Sequence, residues 1–228
     1  MDNDAYFRIA HRKLERRDLF WAEVQAYLDR TLDGGIRGTV VDLGAGYCPF
    51  INAVTTAQRR IAVDANPECA RYAAVGVEFH TGNADDLGFL PDDSVDVVVA
   101  SNLLEHLPPE TVRRLLRETR RVLKPGGSLV LVQPNFYYAY REYFHDVTHL
   151  TAYTHVGLSD LLEGEGFDIA RMEPRFLPLS LQRKYGGIDA DALPEWLMRA
   201  ALRLYLALPF RVAGKQMLVV GRKPAGAE

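Results

Sequence analysis

Val40-Val41-Asp42-Leu43-Gly44-Ala45-Gly46 is a β-branched run that ends in a glycine turn. Branched side chains favour a buried extended strand, and glycines permit positive φ and let a ligand lie against the backbone. A glycine pair alone is common in tight turns, so its meaning depends on the neighbouring runs. The next run, Arg60-Ile61-Ala62-Val63-Asp64, ends in a carboxylate 22 residues after Asp42. An acid at the end of a second strand can take both hydroxyls of an adenosine ribose. After a third run, Gly82-Asn83-Ala84-Asp85-Asp86-Leu87 offers short polar side chains and backbone N–H groups that can read an adenine edge.

Outward from this centre, β-branched runs at Thr39–Leu43, Arg60–Asp64, Val77–His80, Val95–Ala100 and Ser128–Gln133 alternate with helical segments. That rhythm is the mark of a parallel sheet with helices on both faces. The spacing predicts an amino-terminal helix through Phe20, Val24 and Leu28, stopped by Asp33-Gly34-Gly35. It predicts a second from Glu110 to Leu123, with Arg113, Arg117, Arg120 and Arg121 on a solvated face, and a third over Val156–Glu163. Phe167–Glu173 and Gln216–Gly221 read as two further strands, separated by an insertion that holds a Leu193–Leu208 helix. The expectation is one α/β domain over 1–228: a helical cap (1–35), a cofactor-binding core (36–175), a helical insertion (176–215) and a last strand (216–223).

The 228 residues are 48% hydrophobic and 25% charged, the mixture of a globular chain able to bury roughly 70% of its surface. A net charge of −3 provides no general attraction to nucleic acid. The charge is uneven, because residues 199–228 hold six basic side chains against Glu228 alone, leaving the rest at −8. This reads as a basic rim facing an anionic acceptor, a second subunit or a membrane surface. Two cysteines, no apolar leader and no uninterrupted apolar span point to a cytoplasmic protein without a transmembrane segment.

The chain resembles the class I S-adenosylmethionine-dependent methyltransferases from about Gly38 to Phe167 and again over Gln216–Lys223. Six ordered motifs carry the resemblance: Val41-Asp42-Leu43-Gly44-Ala45-Gly46, Asp64, Gly82-Asn83-Ala84, Asp92-Asp93-Ser94-Val95-Asp96-Val97-Val98, Leu104-Glu105-His106-Leu107 and Leu123-Lys124-Pro125-Gly126-Gly127. It implies a Rossmann-like doubly wound seven-stranded sheet with an antiparallel last strand, and S-adenosyl-L-methionine as cofactor. By that resemblance Asp42, Gly44, Ala45 and Gly46 hold the methionine end, Asp64 the ribose, Asn83 and Ala84 the adenine with Asp85 in reserve, and Ser101 lies near the sulfonium. Cys48 stands where the family often has a third glycine, and Asn83 where it has an aspartate.

Clues to the acceptor come from Asn135–Tyr153, a long aromatic stretch after the fifth run that contains Tyr-Phe-His-Asp-Val-Thr-His at 143–149. Tyrosines there can line a pocket, with Phe136 and Phe144 plugging the core. A hydroxyl nucleophile needs a base, and His149 is the candidate, with Asp146 holding its tautomer and His145 on the same face if the segment is helical. His106 is the rival base. A divalent metal such as magnesium is a lesser option, since it wants oxygen ligands and only Asp146 and Glu142 are near. The 143–167 stretch also resembles bacterial sugar and polysaccharide O-methyltransferases. The acceptor is therefore expected to be a saccharide hydroxyl, with a phenol, acid or amine as the alternative; no N/D-P-P-Y tetrad argues for amino groups on bases. A nicotinamide oxidoreductase would explain the glycine turn but not the Leu123–Gly127 segment. A non-catalytic cofactor-binding homologue is a further alternative. The amino-terminal helix, with Arg8, His11, Arg12 and Arg16, and an apolar stripe of Trp196, Leu197, Ala200, Leu204 and Leu208 are expected to flank the cofactor mouth or a homodimer interface.

Overall fold

The structure is a computed structural model that describes residues 14–178 and 194–226. Arg8, His11 and Arg12, the Arg16 side chain and much of the expected insertion lie outside the described residues. The elements run α1 (Leu14–Thr31), β1 (Thr39–Leu43), α2 (Pro49–Ala53), β2 (Arg59–Asp64), β3 (Val77–Thr81), β4 (Val95–Ser101), α3 (Pro109–Val122) and β5 (Leu123–Pro134). They continue with α4 (Phe136–Ala139), α5 (His155–Gly164), β6 (Asp168–Leu177), α6 (Glu195–Ala207) and β7 (Gln216–Arg222).

Seven strands form one sheet in the order β3-β2-β1-β4-β5-β7-β6, with β7 antiparallel to both neighbours and β1 to β5 mutually parallel. This is the expected doubly wound sheet with its antiparallel last strand. Successive strand residues point to opposite faces, so the β-branched runs feed two cores at once. Val41, Leu43, Ile61, Val98 and Leu129 pack against α3 and α5; Val40, Ala62, Val99, Val130 and Val132 pack against α1, α2 and α6. The strand order reverses between β1 and β4, which opens a crevice beyond their carboxyl ends.

One element differs from the sequence expectation, and the structure adds detail to two others. Leu123-Lys124-Pro125-Gly126-Gly127 does not merely stop α3. It begins β5, a 12-residue strand whose pairing with β4 shifts register between Val95 and Val97. The arginine row on α3 is tied down: Arg113 and Arg117 both reach Glu165, Arg114 reaches Asp85, and Arg120 donates to the Gly166 carbonyl. On α6 the expected stripe faces outward, with Trp196 70% exposed and Leu204 67% exposed, while Met198 and Leu206 are buried. Beside the buried face, Arg199 and Arg203 reach the buried Glu23 carboxylate on α1 and remain partly exposed themselves.

The basic carboxyl-terminal segment is neutralised within the chain. Arg199 and Arg203 pair with Glu23, Arg211 with Glu173, Lys215 with Glu142, Arg222 with Asp33 and Lys223 with Asp93. It is a set of clamps on the core, not a rim of unpaired positive charge.

Candidate active site

Gly44 and Gly46 take φ of 68° and 52°, a conformation that costs glycine little. A Cβ on Gly44 would come 2.9 Å from Leu103 Cδ1, so the turn after β1 is packed against the segment after β4. Cys48 adopts φ 58° at the start of α2, which is the left-handed geometry that the replaced glycine would take without strain. The Asp64 carboxylate accepts the Gly46 N–H at 2.8 Å through one oxygen and the Asn66 N–H at 2.8 Å through the other. A carboxylate offers about four lone-pair positions, so Asp64 keeps acceptor capacity for a pair of ribose hydroxyls. Asp42 is 4% exposed and accepts from the Ile51 N–H; burial, with the charge of Asp64 adding to it, raises its carboxyl pKa to about 8. Such a group becomes ionised when a cation, such as an amino acid ammonium, comes beside it. The open turn and the two acids fit the methionine and ribose ends of S-adenosylmethionine.

Asn83 is exposed on the turn after β3, where its backbone carbonyl accepts from the Asp86 N–H, and Ala84 packs partly on the core. Asp85, held in reserve for the adenine, is instead engaged by Arg114 at 2.9 Å. Ser101 closes β4, and its Oγ accepts from Asn102 Nδ2 at 3.0 Å. Asn102 itself has φ 49° and accepts from Gln216 Nε2 at 3.0 Å, so β7 braces the turn at the end of β4.

The second half of the site is a cluster that joins two distant stretches. The Leu150 and Thr151 N–H groups both donate to the Glu105 carbonyl, docking the loop after β5 on the turn after β4. Tyr143 is fully buried in that loop and donates from its hydroxyl to the Thr151 carbonyl at 2.6 Å. His106 and His149 consequently stand with ring centroids 4.8 Å apart, and Tyr143 lies 4.6 Å from His149. His106 Nδ1 contacts the Thr148 carbonyl at 3.3 Å and Thr148 Oγ1 at 2.9 Å. A carbonyl only accepts, so Nδ1 carries the proton and Nε2 the lone pair. Thr148 Oγ1 in turn donates to Asp146 Oδ1 at 2.6 Å. Burial lowers the pKa of both histidines, which keeps the imidazoles neutral near pH 7.

This arrangement corrects two expectations and adds a residue. Tyr143–His145 is a single 3-10 turn, and Asp146 leaves it in an extended conformation. His145 is therefore exposed and shares no helix face with His149. Asp146 anchors Thr148 and, through it, His106, so the carboxylate supports the rival base. Glu142 is occupied by Lys215 at 2.7 Å, so the two oxygen donors expected for magnesium are both committed within the chain. The aromatic assignment is also reversed in part: Tyr143 is the core plug, while Phe144 is 53% exposed. Glu105 had no expected role, yet it is 1% exposed and neither carboxylate oxygen has a hydrogen-bond partner. Its signal in the sequence was a lone acid between Leu104 and Leu107. A groove of about 430 Å³ lined by Asp18, Pro49 and Arg199 among others shares none of these residues.

Residues 41–131 match the family model described as a methyltransferase domain. A ubiquinone biosynthesis O-methyltransferase of Xanthomonas oryzae pv. oryzae is 31% identical over 114 residues, 46% of each chain. A probable S-adenosylmethionine-dependent methyltransferase of Mycolicibacterium smegmatis is 35% identical over 102 residues, 44% of this chain and 38% of that one. The chain thus spans about half the length or less of the curated relatives it matches. A crystal structure of an S-adenosylmethionine-dependent methyltransferase from Archaeoglobus fulgidus superposes with a TM-score of 0.66 at 23% identity, over 97% of this chain and 100% of that one; at that identity the likeness speaks for the fold. With the glycine turn, Asp64 and the strand order in place, the chain has the Rossmann-like α/β fold of the class I methyltransferases, and residues 41–131 are similar to a methyltransferase domain.

Proposed function

We propose that the protein is an S-adenosylmethionine-dependent O-methyltransferase whose acceptor is a hydroxyl group, of a saccharide or polysaccharide precursor in the first instance. When bound, S-adenosylmethionine supplies an electrophilic methyl group. Asp42 and the Gly44–Gly46 turn hold its amino acid end, Asp64 its ribose, and the Asn83–Ala84 turn its adenine. The observation that supports the reading is a half-buried histidine pair carried by the segments that follow β4 and β5, two of the parallel strands beyond whose carboxyl ends the crevice opens. A sugar hydroxyl is a weak nucleophile, and His149 or His106 takes its proton as the oxygen is methylated. Tyr137, Tyr140 and Phe144 are 64%, 56% and 53% exposed on the same loop, and open aromatic faces suit the apolar faces of sugar rings.

A phenolic acceptor is the second reading, favoured by the name of the Xanthomonas oryzae relative. The discriminating experiment is mass-detected methyl transfer from S-adenosylmethionine to a panel of mono- and oligosaccharides and of catechols. Methylated saccharide with S-adenosylhomocysteine in equal amount is the expected result. Transfer to catechols alone replaces the acceptor by the second reading. Tight S-adenosylhomocysteine binding without transfer to any hydroxyl overturns the activity and leaves a binding protein. His149→Ala is expected to cost about a hundredfold in rate with cofactor affinity retained.

A further inference from the structure

Glu105 presents a problem of satisfaction. A buried carboxyl with two unpartnered oxygens is unfavourable, and such a group in a native fold calls for something that completes it, an ion being one such partner. Its neighbours are the right ones for an ion. Glu105, His106 and His149 each offer a ligand atom, and these atoms lie within 4.8 Å of one another, with His106 Nε2 at 3.8 Å from Glu105 Oε1. Donors at ~2.1 Å from zinc stand roughly 3.4 Å apart in a tetrahedron, so side-chain movements of about 1 Å close the set. His149 Nδ1 is also buried without a partner, while the Tyr143 carbonyl accepts from the same ring. Thus two polar groups in contact distance of one point both lack what an ion would supply.

The surroundings are arranged as metal sites arrange them. Ligating histidines almost always donate their other ring N–H to an oxygen that fixes tautomer and orientation. Here His106 donates from Nδ1 to Thr148, Thr148 donates to Asp146, and His106 Nε2 stands 3.8 Å from Glu105 Oε1. The set is also open on one side, since His106 and His149 are only half-buried.

We propose that Glu105, His106 and His149 bind one divalent first-row transition cation, of the zinc or manganese type and not magnesium. The donor chemistry decides the class: two imidazoles and one carboxylate suit zinc, manganese, cobalt or iron, whereas magnesium seeks an all-oxygen octahedron. Three protein ligands leave a coordination position open, which is the pattern of sites that take a substrate oxygen. Cation binding stands by itself; its use to hold the acceptor hydroxyl and to lower that hydroxyl's pKa rests on the methyl-transfer reading above, with the two histidines then serving as ligands in place of the base and the proton passing to water.

The test is isothermal titration of the metal-stripped full chain with zinc chloride, manganese chloride and magnesium chloride, without cofactor or acceptor. One zinc per chain is expected, with magnesium bound at least a hundredfold more weakly. Glu105→Gln, which keeps shape, and His149→Ala are each expected to weaken zinc about a hundredfold, with circular dichroism unchanged. Cobalt should give visible d–d bands that both substitutions abolish. Absence of stoichiometric zinc binding, or equal affinity in wild type and both variants, overturns the proposal. Methyl transfer undiminished by chelator removes the role of the cation in catalysis and leaves the O-methyltransferase reading intact. Zinc bound as expected with no transfer to any hydroxyl overturns that reading and leaves the site.

Discussion

Asp64 ties the turn after β1 together and, in the proposed function, also meets the ribose. Its two oxygens pin the Gly46 and Asn66 N–H groups, which sets the open shape of the turn after β1. Replacing it by alanine removes those bonds and the acceptors for the ribose. With charged hydrogen bonds at about 1.5–3 kcal/mol, Asp64→Ala should weaken S-adenosylhomocysteine binding at least tenfold by calorimetry. An unchanged affinity would remove Asp64 from the ribose. Thr148 acts at one remove. By fixing His106 with its proton on Nδ1 it is a positioning residue, so Thr148→Val is expected to slow methyl transfer about tenfold and Thr148→Ser to restore it, with cofactor affinity constant in both. A loss that Thr148→Ser does not restore would mean that the side chain matters for its packing and not for its hydroxyl. His149 was legible as a candidate from its chemistry, whereas His145 was misplaced because spacing of four means one face only in a helix. The chain there makes a single 3-10 turn.

Among the elements, α6 and the last strands are joined to α1 by charge as much as by packing. Glu173 on β6 accepts from Tyr27 at 2.8 Å and also pairs with Arg171 and the buried Arg211. Arg211 further donates to the Tyr27 hydroxyl at 2.9 Å and to the Leu206 carbonyl at 2.6 Å. Removing the carboxylate leaves a buried guanidinium without its counter-charge. Glu173→Gln is therefore expected to destabilise the fold by about 3 kcal/mol in urea denaturation, and a change within experimental scatter would show that the pair contributes little. On α6 the apolar stripe faces outward while Met198 and Leu206 are buried. Periodicity ranks faces by hydrophobicity, but it does not show that Glu23 on α1 reaches Arg199 and Arg203 beside that buried face.

For the molecule as a whole, the basic side chains near the carboxyl end pair with acids drawn from the rest of the chain. The clamps at Glu23, Asp33, Asp93, Glu142 and Glu173 spend the carboxyl-terminal positive charge inside the protein. No described helix is long and apolar enough to cross a membrane. One acid makes global stability depend on pH in a stated direction. Asp42 has its carboxyl pKa raised from 3.8 to about 8 by burial and by Asp64, so the folded protein keeps a proton that the unfolded chain releases. That contribution is complete below about pH 4 and is lost as pH rises towards 8. Asp42→Asn should flatten this part of the stability profile, raising stability at pH 8 relative to pH 5 by a few kcal/mol against wild type, as read from denaturation midpoints. Parallel profiles for the two proteins would contradict a protonated Asp42.

Local chemistry accounts for the sheet and for the open turn after β1. Branched runs, the glycine pair and Asp64 specify both, because backbone preference and alternation of side chains act over a few neighbouring residues. Long-range contact was needed for the rest. Glu105 and His149 are 44 positions apart, and only the docking of one loop on another makes them neighbours and strips their polar atoms of water. The commitment of Asp85 to Arg114, of Asp146 to Thr148 and of the basic segment to five separate acids has the same origin. Composition states which charges a chain owns; which of them meet depends on how the helices and loops pack over the sheet.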